Sequence, residues 1–291
     1  MTSSINTNPG ALIALQNLNS INDRLAETQR RVSTGLQVSS AADNPALFAL
    51  AQQQRAELGS VESVQQGLRV GQSTVDVALA AGDNVSDILV ELRSVAVQAA
   101  DASITDETRD ILSERFVALR DQISRIVSSA EVGGRNLIAS GANDLSLVAG
   151  TDGATQITVE AQDLSIGGAN ITISNDADPF AAVADDPLTP ADESQSGAQA
   201  AQAQIAAIEA SIVNVTNAVA RLGNGSQALD LQDNLLSRVS DALETSIGNL
   251  VDADLARESS RLQALQVQQQ LAIQTLSIAN AAPNSILALF A

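Results

Sequence analysis

A seven-residue period of apolar side chains runs through two long stretches of the chain and limits the possible folds more than any other feature. Between 46 and 100 the period has two series, Val61, Leu68, Val75, Leu89 and Ala96, and Val64, Ala78, Val85, Leu92 and Ala99. Between 205 and 250 apolar residues again alternate three and four apart, interrupted by three polar positions, Ser226, Asp233 and Ser240. This period predicts long helices with left-handed packing on a partner helix. A helix over 46–100 would be ~80 Å long, and the two rods are similar enough in length to bury each other within one chain.

The sequence LGNGS at 222–226 lies inside the second periodic stretch. Its composition is typical of a loop, but the seven-residue series continues through it without a shift. We therefore expect a helix there, despite the low helix propensity of glycine.

Two further amphipathic helices are predicted at the ends of the chain. From Ala11, apolar residues fall three or four apart up to Gly35, a residue type common just past a helix end. The last helix is expected from about Asp254 to Ala282, with Pro283 ending it. The closing sequence NSILALFA is an apolar tail that would favour aggregation in a monomer, so we expect it to bind a partner.

A polar, Ser- and Ala-rich connector over 34–45 separates the first helix from the first rod. Pro45 can occupy the first turn of the rod, with Asn44 or Asp43 as its N-cap. The residues singled out in this connector are Gly35, Ala41, Ala42, Asp43, Asn44 and Pro45. A second break is expected near 251–254.

The middle of the chain changes character twice. Ser103 followed by Asp106 predicts a capping box, after which a shorter amphipathic helix extends toward Gly133. From 136 to 175 short β-branched runs alternate with turn residues, and the sequence 167–170 predicts a hairpin turn, so that we expect one or two β-hairpins. The following segment is acidic and rich in proline, which favours an extended surface chain.

The predicted fold class is mainly α, with long antiparallel coiled-coil rods and a small β-hairpin region in the middle of the chain. The predicted segments are 1–33, an N-terminal helix; 34–45, the connector; 46–135, the first rod and the shorter helix; 136–175, the β-hairpin region; 176–195, the acidic segment; 196–250, the second rod; and 251–291, the C-terminal helix and tail.

Charge and composition exclude several classes of function. The net charge is −19, and the fifteen basic residues are scattered arginines without a basic patch, so nucleic acid is not expected as a partner. The sequence contains no Cys, His or Lys, which removes thiolate, imidazole and Schiff-base chemistry. No apolar run approaches the roughly 20 residues that span a bilayer, and the N-terminus lacks the features of a signal peptide. We expect no membrane insertion and no cleaved signal.

Acidic residues are the remaining candidates for chemistry. Asp110 with Glu114, and Asp252 with Asp254, could form catalytic carboxylate pairs, and the acidic segment could bind a hard cation. The segment lacks the spacing of an EF-hand loop, and the pairs have no accompanying base, nucleophile or aromatic pocket. We therefore expect no enzyme activity, catalytic residue, metal site or cofactor.

The connector and the C-terminus carry a family resemblance. The sequence RRVSTGLQVSSAADNPALFALA, residues 30–51, resembles the N-terminal signature of bacterial flagellins, with VSTG at 32–35 and AAD at 41–43. The sequences DADLARESSRLQALQVQQQLAIQTL at 252–276 and NAAPNSILALF at 280–290 are similar to the last helix and ending of that family. The resemblance covers about 1–135 and 195–291.

This resemblance implies a non-enzymatic subunit that polymerises into the extracellular filament of the bacterial flagellum. In the family, the terminal helices pair into an inner tube, the long rods form an outer tube, and the connector crosses between them. The residues implied in this packing are Ile5, Leu12, Leu15, Leu18, Ile21, Leu25, Leu262, Leu265, Leu271, Leu276, Ile286, Leu287 and Phe290. The implied partners are other copies of the chain or other flagellins, the flagellar export apparatus, a chaperone for the C-terminal helix, and hook-associated and cap proteins. The alternatives are a hook-filament junction protein of the same family and a cytoplasmic coiled-coil adaptor.

The resemblance also exposes one departure from the family. Flagellins detected by the vertebrate innate flagellin receptor carry a run like Gln-Arg-Val-Arg-Glu-Leu in the first rod. The sequence VELRSVAVQAA retains the later arginine as Arg93 but has Glu91 in place of the earlier one. A reversed charge at a contact weakens recognition, so poor receptor activation is expected.

Overall fold

A computed structural model describes residues 8–181 and 193–287, with side chains described over 8–181 and 197–281. The helices in this part of the chain are α1 (Pro9–Thr34), α2 (Pro45–Ala99), α3 (Asp106–Ser129), α4 (Glu193–Val251) and α5 (Leu255–Leu287), and the strands are β1 (Leu145–Val148) and β2 (Gln156–Val159). Of the predicted packing residues, Ile5 and Phe290 lie outside the described residues, as do the side chains of Ile286 and Leu287.

The fold class is mainly α, as predicted, and the chain divides into two compact units. One unit comprises Met1–Gly59 and Asp241–Ala291, and the other is Ser60–Ser240. Helices α2 and α4 each contribute residues to both units.

Within the Ser60–Ser240 unit, α2 and α4 pack side by side in antiparallel directions. Three contacts show this direction, because the residue numbers of the α4 partners fall as those of the α2 residues rise. Gln65 Nε2 lies 3.4 Å from Ser237 Oγ, Gln72 Nε2 lies 2.7 Å from Ser226 Oγ, and Arg93 Nη2 lies 2.7 Å from Glu209 Oε1. The predicted α2 series is buried except for Val64, which is partly buried, and Gly71 and Gly82 are buried at the places the two series skip.

Helix α4 has a wider buried face than a two-helix seam requires. The predicted series Ile208, Val215, Leu222, Leu229 and Leu236 is buried, and the helix continues through LGNGS as expected. In the second series, however, the neighbouring Ser211 and Ala218 are fully buried, while Ile212 and Val219 are only partly buried. The reason is a second neighbour, because this face of α4 packs on the irregular segment that follows α3.

Contacts to that segment lie at multiples of seven residues along α4. Ser211 Oγ accepts a hydrogen bond from the Thr172 amide at 3.1 Å, and Gln232 Nε2 donates to the Ala149 carbonyl at 2.6 Å. A Cβ placed at Gly225 would lie 2.7 Å from Val159 Cγ1. Small and polar residues on this stripe therefore let the β region lie directly against the helix.

The β region holds one hairpin in the described residues. Strands β1 and β2 pair antiparallel, with Leu145 opposite Val159 and Val148 opposite Gln156. The chain turns at 167–170, with Gly167 at φ 76, but the Ile166–Ile171 bridge is parallel and no strands extend from it, so the hairpin predicted at this turn is wrong.

The start of α3 differs from the sequence prediction. The N-cap is Thr105, whose hydroxyl accepts from the Thr108 amide at 3.3 Å, so the predicted capping box of Ser103 and Asp106 is wrong. Ser103 instead donates both its amide and its hydroxyl to Asp101 Oδ1, each at 2.8 Å. The Asp101 carboxylate holds Ser103 in a turn before the helix begins.

Helix α4 is long and apolar enough over Gly197–Val251 to cross a membrane by length and composition, contrary to the expectation from the sequence. Core helices of soluble proteins meet the same criterion. In this helix 28% of the apolar window is buried inside the protein, so length and composition alone do not establish a membrane span.

Candidate functional site

The two terminal helices form the candidate site, and local sequence signals define the limits of α1. Asn8 is its N-cap and accepts from the Ala11 amide at 3.2 Å, while Pro9 occupies the first helical position. Gly35 ends the helix in the left-handed conformation with φ 73, as the sequence predicted.

The two breaks in the helical pattern pair with each other. Leu36 forms an antiparallel bridge with Asp252, the Gln37 amide donates to the Val251 carbonyl at 2.7 Å, and the Ala253 amide donates to the Gly35 carbonyl at 2.9 Å. A small apolar cluster lies beside these bonds and consists of Val38, Ala51, Ile247 and Val251, with Leu36, Leu47, Phe48, Leu58 and Leu250 packed against it. The start of α2 and the end of α4 are thereby held together where the chain leaves them.

Asp43 organises the connector itself. Its Oδ2 accepts hydrogen bonds from the amides and hydroxyls of Ser39 and Ser40, at distances between 3.0 and 3.1 Å. The hydroxyl bond from Ser39, followed by that from Ser40, lowers the pKa of the Asp43 carboxyl below its ordinary value. The connector is thus a turn closed by one carboxylate.

The remaining connector residues have simpler roles. Asn44 is the N-cap of α2, with its Oδ1 accepting from the Leu47 amide at 3.2 Å, and Pro45 is the first helical residue. Ala41 and Ala42 are exposed in the turn. The connector observed between the helices is 35–44, one residue shorter at each end than predicted.

Helices α1 and α5 pack antiparallel, with polar contacts along their length. Asn8 Nδ2 donates to the Ala279 carbonyl at 2.7 Å, and Gln269 Nε2 donates to Asn22 Oδ1 at 2.7 Å. At the other end of the pair, Arg31 Nη1 lies 3.5 Å from Glu258 Oε1. The prediction that Pro283 ends α5 is wrong, since the helix continues to Leu287.

The predicted packing residues divide into buried and exposed groups. Leu25 and Leu265 are buried, and Leu18, Ile21, Leu262 and Leu276 are partly buried. Leu12, Leu15 and Leu271 are instead exposed, with 62%, 44% and 55% of their surface accessible. The pair of helices therefore buries only part of its apolar surface.

Further exposed apolar residues on these helices were not selected from the sequence. They are Ile13, Leu255, Val267, Ile273 and Ile278. The predicted packing residues follow one amphipathic stripe per helix, and these residues lie beside it. Helices α1 and α5 carry apolar side chains on more than one face. In the sequence, the adjacent residues Leu12 and Ile13 indicate this, because neighbouring residues point to different sides of a helix.

A groove of about 380 Å³ runs between the two helices. Its lining residues are Ala14, Asn17, Ser20, Ile21, Arg24, Gln268, Ala272 and Thr275. The small side chains of Ala14 and Ala272 leave this space open, and most of the other lining residues are polar.

The two receptor-patch residues lie in the Ser60–Ser240 unit and are both ion-paired. Arg115 Nη2 donates to Glu91 Oε1 at 2.6 Å, and Arg93 Nη2 donates to Glu209 Oε1 at 2.7 Å. All four side chains are about half exposed. The pairs hold the charges on the surface without removing them from solvent.

The acidic candidates for chemistry were compared with the geometry that a metal ion requires. Among the described residues, no group of three or more Asp or Glu side chains is arranged to hold a metal ion. Asp110 and Glu114 line an open groove of about 540 Å³, together with Asp121 and Asp178.

Comparison with known proteins identifies the chain. Residues 5–143 match the family described as bacterial flagellin N-terminal helical region, and residues 205–290 match the bacterial flagellin C-terminal helical region. Flagellin FljM of Caulobacter vibrioides is 42% identical over 287 residues, covering 99% of this chain and 98% of its own. Flagellin C of Rhizobium meliloti is 31% identical, with 99% of each chain covered. The chain belongs to the bacterial flagellin family.

A solved structure agrees with the fold. A flagellar hook-associated protein from Vibrio parahaemolyticus aligns with a TM-score of 0.57 at 16% identity, over 72% of this chain and all of the other. At that identity the match supports the mainly α architecture alone. The full-length flagellin relatives make this protein a structural subunit of the flagellar filament, in preference to a junction protein or an adaptor.

Proposed function

We propose that this chain polymerises through its paired terminal helices into the extracellular flagellar filament. The observation that carries the proposal is the exposed apolar surface on α1 and α5, including Leu12, Ile13 and Leu271. Contiguous exposed apolar surface marks an interaction site, and copies of the same pair are the available partners in a filament. Contacts that repeat without closing generate an open helical polymer.

In this proposal the two parts of the chain have different places in the filament. The α1–α5 pair belongs to the inner tube that lines a central channel. Helices α2 and α4 belong to the outer tube. The bonds between the connector and residues 251–253 support a crossing point that carries both chain segments from one layer to the other.

Secretion through the flagellar export apparatus completes the proposal. The chain would be exported unfolded, with a chaperone covering the apolar C-terminal helix until export, and would join hook-associated and cap proteins at the filament ends. The absence of Cys in the sequence supports this route, because no thiol can mispair during passage.

Removal of residues 1–33 tests the proposal. The truncated chain should remain soluble but should not extend sheared filament seeds, whereas the full chain should extend them, as measured by negative-stain electron microscopy. Seeds lengthened normally by the truncated chain would contradict assembly through the terminal helices.

We also propose that the filament subunit activates the vertebrate flagellin receptor poorly, because Glu91 presents a negative charge where detected family members carry arginine. The pairing of Glu91 with Arg115 supports an exposed, ordered carboxylate. Glu91→Arg should raise the reporter-cell response, and Glu91→Gln should have a smaller effect. A wild-type response equal to that of an enteric flagellin would refute this proposal.

A further inference from the structure

A proline lies inside α5 and leaves one backbone carbonyl without its usual partner. In an α-helix, the carbonyl of each residue accepts a hydrogen bond from the amide four residues later. Pro283 has no amide hydrogen, so the Ala279 carbonyl lacks this bond within α5. Pro283 is the one proline in the Leu255–Leu287 sequence, and Ala279 is therefore the one interior carbonyl of this helix that proline leaves free.

The Asn8 side chain supplies the missing donor. Its Nδ2 lies 2.7 Å from the Ala279 oxygen, across 271 positions of sequence. This bond satisfies a backbone acceptor that would otherwise lie unpaired at a partly buried contact.

Asn8 also begins α1, so that one side chain serves both helices. Its Oδ1 accepts from the Ala11 amide at 3.2 Å, and its backbone carbonyl accepts from the Leu12 amide at 3.1 Å. Aspartate would cap α1 equally well but has no donor for Ala279. An amide group is the chemistry that performs both tasks from one short side chain.

The contact distinguishes one alignment of the two helices from its neighbours. A helix pair can slide by one turn while keeping apolar side chains in contact, and a single polar contact in the seam can specify register. If α1 moved along α5, Asn8 would meet carbonyls already bonded within the helix. The bond between Asn8 and the Ala279 carbonyl therefore favours the alignment seen here, which also pairs Asn22 with Gln269 and Arg31 with Glu258.

We propose that Asn8 and Pro283 form a register lock, in which the proline-freed Ala279 carbonyl selects the α1–α5 alignment that adds to a filament. Asn8 is a positioning residue in this role. The inference rests on the proposed assembly through the terminal helices and names the residues that specify their alignment.

A double-mutant cycle tests the lock. Asn8→Asp keeps the N-cap of α1 and removes the donor, while Pro283→Ala restores the amide that satisfies Ala279 within α5. Asn8→Asp should raise the critical concentration for seeded growth ~3- to 10-fold in the natural background, and by less than about 2-fold in the Pro283→Ala background. Asn19→Asp, at an exposed asparagine of the same helix, controls for the added charge.

Hydrogen exchange in the soluble chain supplies a readout that does not depend on assembly. Asn8→Asp should speed exchange of α1 and α5 amides in the natural background and have little effect in the Pro283→Ala background. Equal effects of Asn8→Asp in both backgrounds, or no effect in either, would overturn the lock. A wild-type chain that does not extend seeds, but shows the expected coupling in exchange, would contradict the proposed function and leave the lock standing.

Discussion

Gly225 lies in the interior of α4, where glycine is otherwise unfavourable, because Val159 packs directly against its backbone. A Cβ there would lie 2.7 and 2.9 Å from the two methyl carbons of Val159, whereas a Cβ at Gly223 would meet nothing within 4 Å. Gly223→Ala should therefore stabilise the chain by about 0.5–1 kcal/mol through helix propensity. Gly225→Ala should destabilise it by about 1–3 kcal/mol, since a stiff β-branched neighbour must move.

Denaturant unfolding of the soluble chain measures both substitutions. The two glycines are two residues apart in one helix, so both substitutions bring the same gain in helix propensity. They differ in the contact with Val159, which only Gly225 makes. An equal gain of stability in both variants would show that Val159 does not pack closely on α4.

Asp43 gives the connector a pH dependence with a defined sign. Its hydrogen bonds to Ser39 and Ser40 lower the pKa of the folded carboxyl below the ordinary value of 3.8. The stabilisation is therefore present above that ordinary pKa and is lost as the pH falls through the lower folded pKa. The difference in free energy of unfolding between wild type and Asp43→Asn should be constant near neutral pH and shrink in acid. A difference that stays constant into strong acid would contradict this role.

Sequence patterns predicted the α2 seam but not the glycines inside it. The apolar period did not predict a role for Gly71 and Gly82. It cannot distinguish a glycine that makes room for a neighbouring side chain from one that interrupts a helix. A Cβ at Gly82 would lie 2.7 Å from Val219 Cγ2, which makes the smallness of that position a tertiary requirement. The need for a small residue at this position comes from Val219 in α4 and cannot be recognised from the sequence of α2 alone.

At the scale of the helix, the exposed leucines of α1 should matter for assembly and not for the folding of the monomer. Leu12→Gln removes an apolar side chain that is 62% exposed, so the free energy of unfolding of the monomer should change by less than about 0.5 kcal/mol. The critical concentration for seeded growth should rise ~10-fold or more, because the proposed assembly buries this side chain between copies. Ile111→Gln, at a similarly exposed side chain of α3, is the matched control and should leave growth nearly unchanged.

Sedimentation of filaments at a series of protein concentrations measures this effect. Equal shifts for Leu12→Gln and Ile111→Gln would remove the special role assigned to the terminal helices.

The element boundaries were more predictable than the contacts between elements. Periodicity placed all five helices, and Gly35, Asn44 and Pro45 marked the connector, because these signals act within a few residues. The Leu36–Asp252 bridge could not be predicted, since each break is polar and irregular and neither sequence indicates which segment it pairs with. Pro283 was misjudged for the same reason, because the partner of the carbonyl it frees is Asn8, at the opposite end of the chain.

For the whole molecule, charge should govern the rate of assembly. Each subunit carries a net charge of −19, so an arriving copy is repelled by the filament end. Raising the ionic strength from about 0.01 M to about 0.1 M shortens the Debye length from about 30 Å to about 10 Å. Surface ion pairs such as Arg93–Glu209 contribute little to the stability of the folded chain, so screening them by salt should have little effect on it.

Seeded elongation should therefore accelerate several-fold, ~3- to 10-fold, over this range of salt. Light scattering after addition of seeds measures the rate, and sucrose at matched osmolarity is the control for solvent exclusion. An elongation rate that falls with salt would mean that opposite charges attract across the subunit contact.

Hydroxyl-radical footprinting with mass spectrometry measures whether assembly buries the apolar surface of the terminal helices. Leu12, Leu15 and Leu271, which are exposed in the single chain, should be oxidised readily in the monomer and strongly protected in filaments. Val148 on the hairpin, which is also exposed, should remain reactive in both. Leucines of α1 and α5 that stay equally reactive after polymerisation would contradict assembly through the terminal helices.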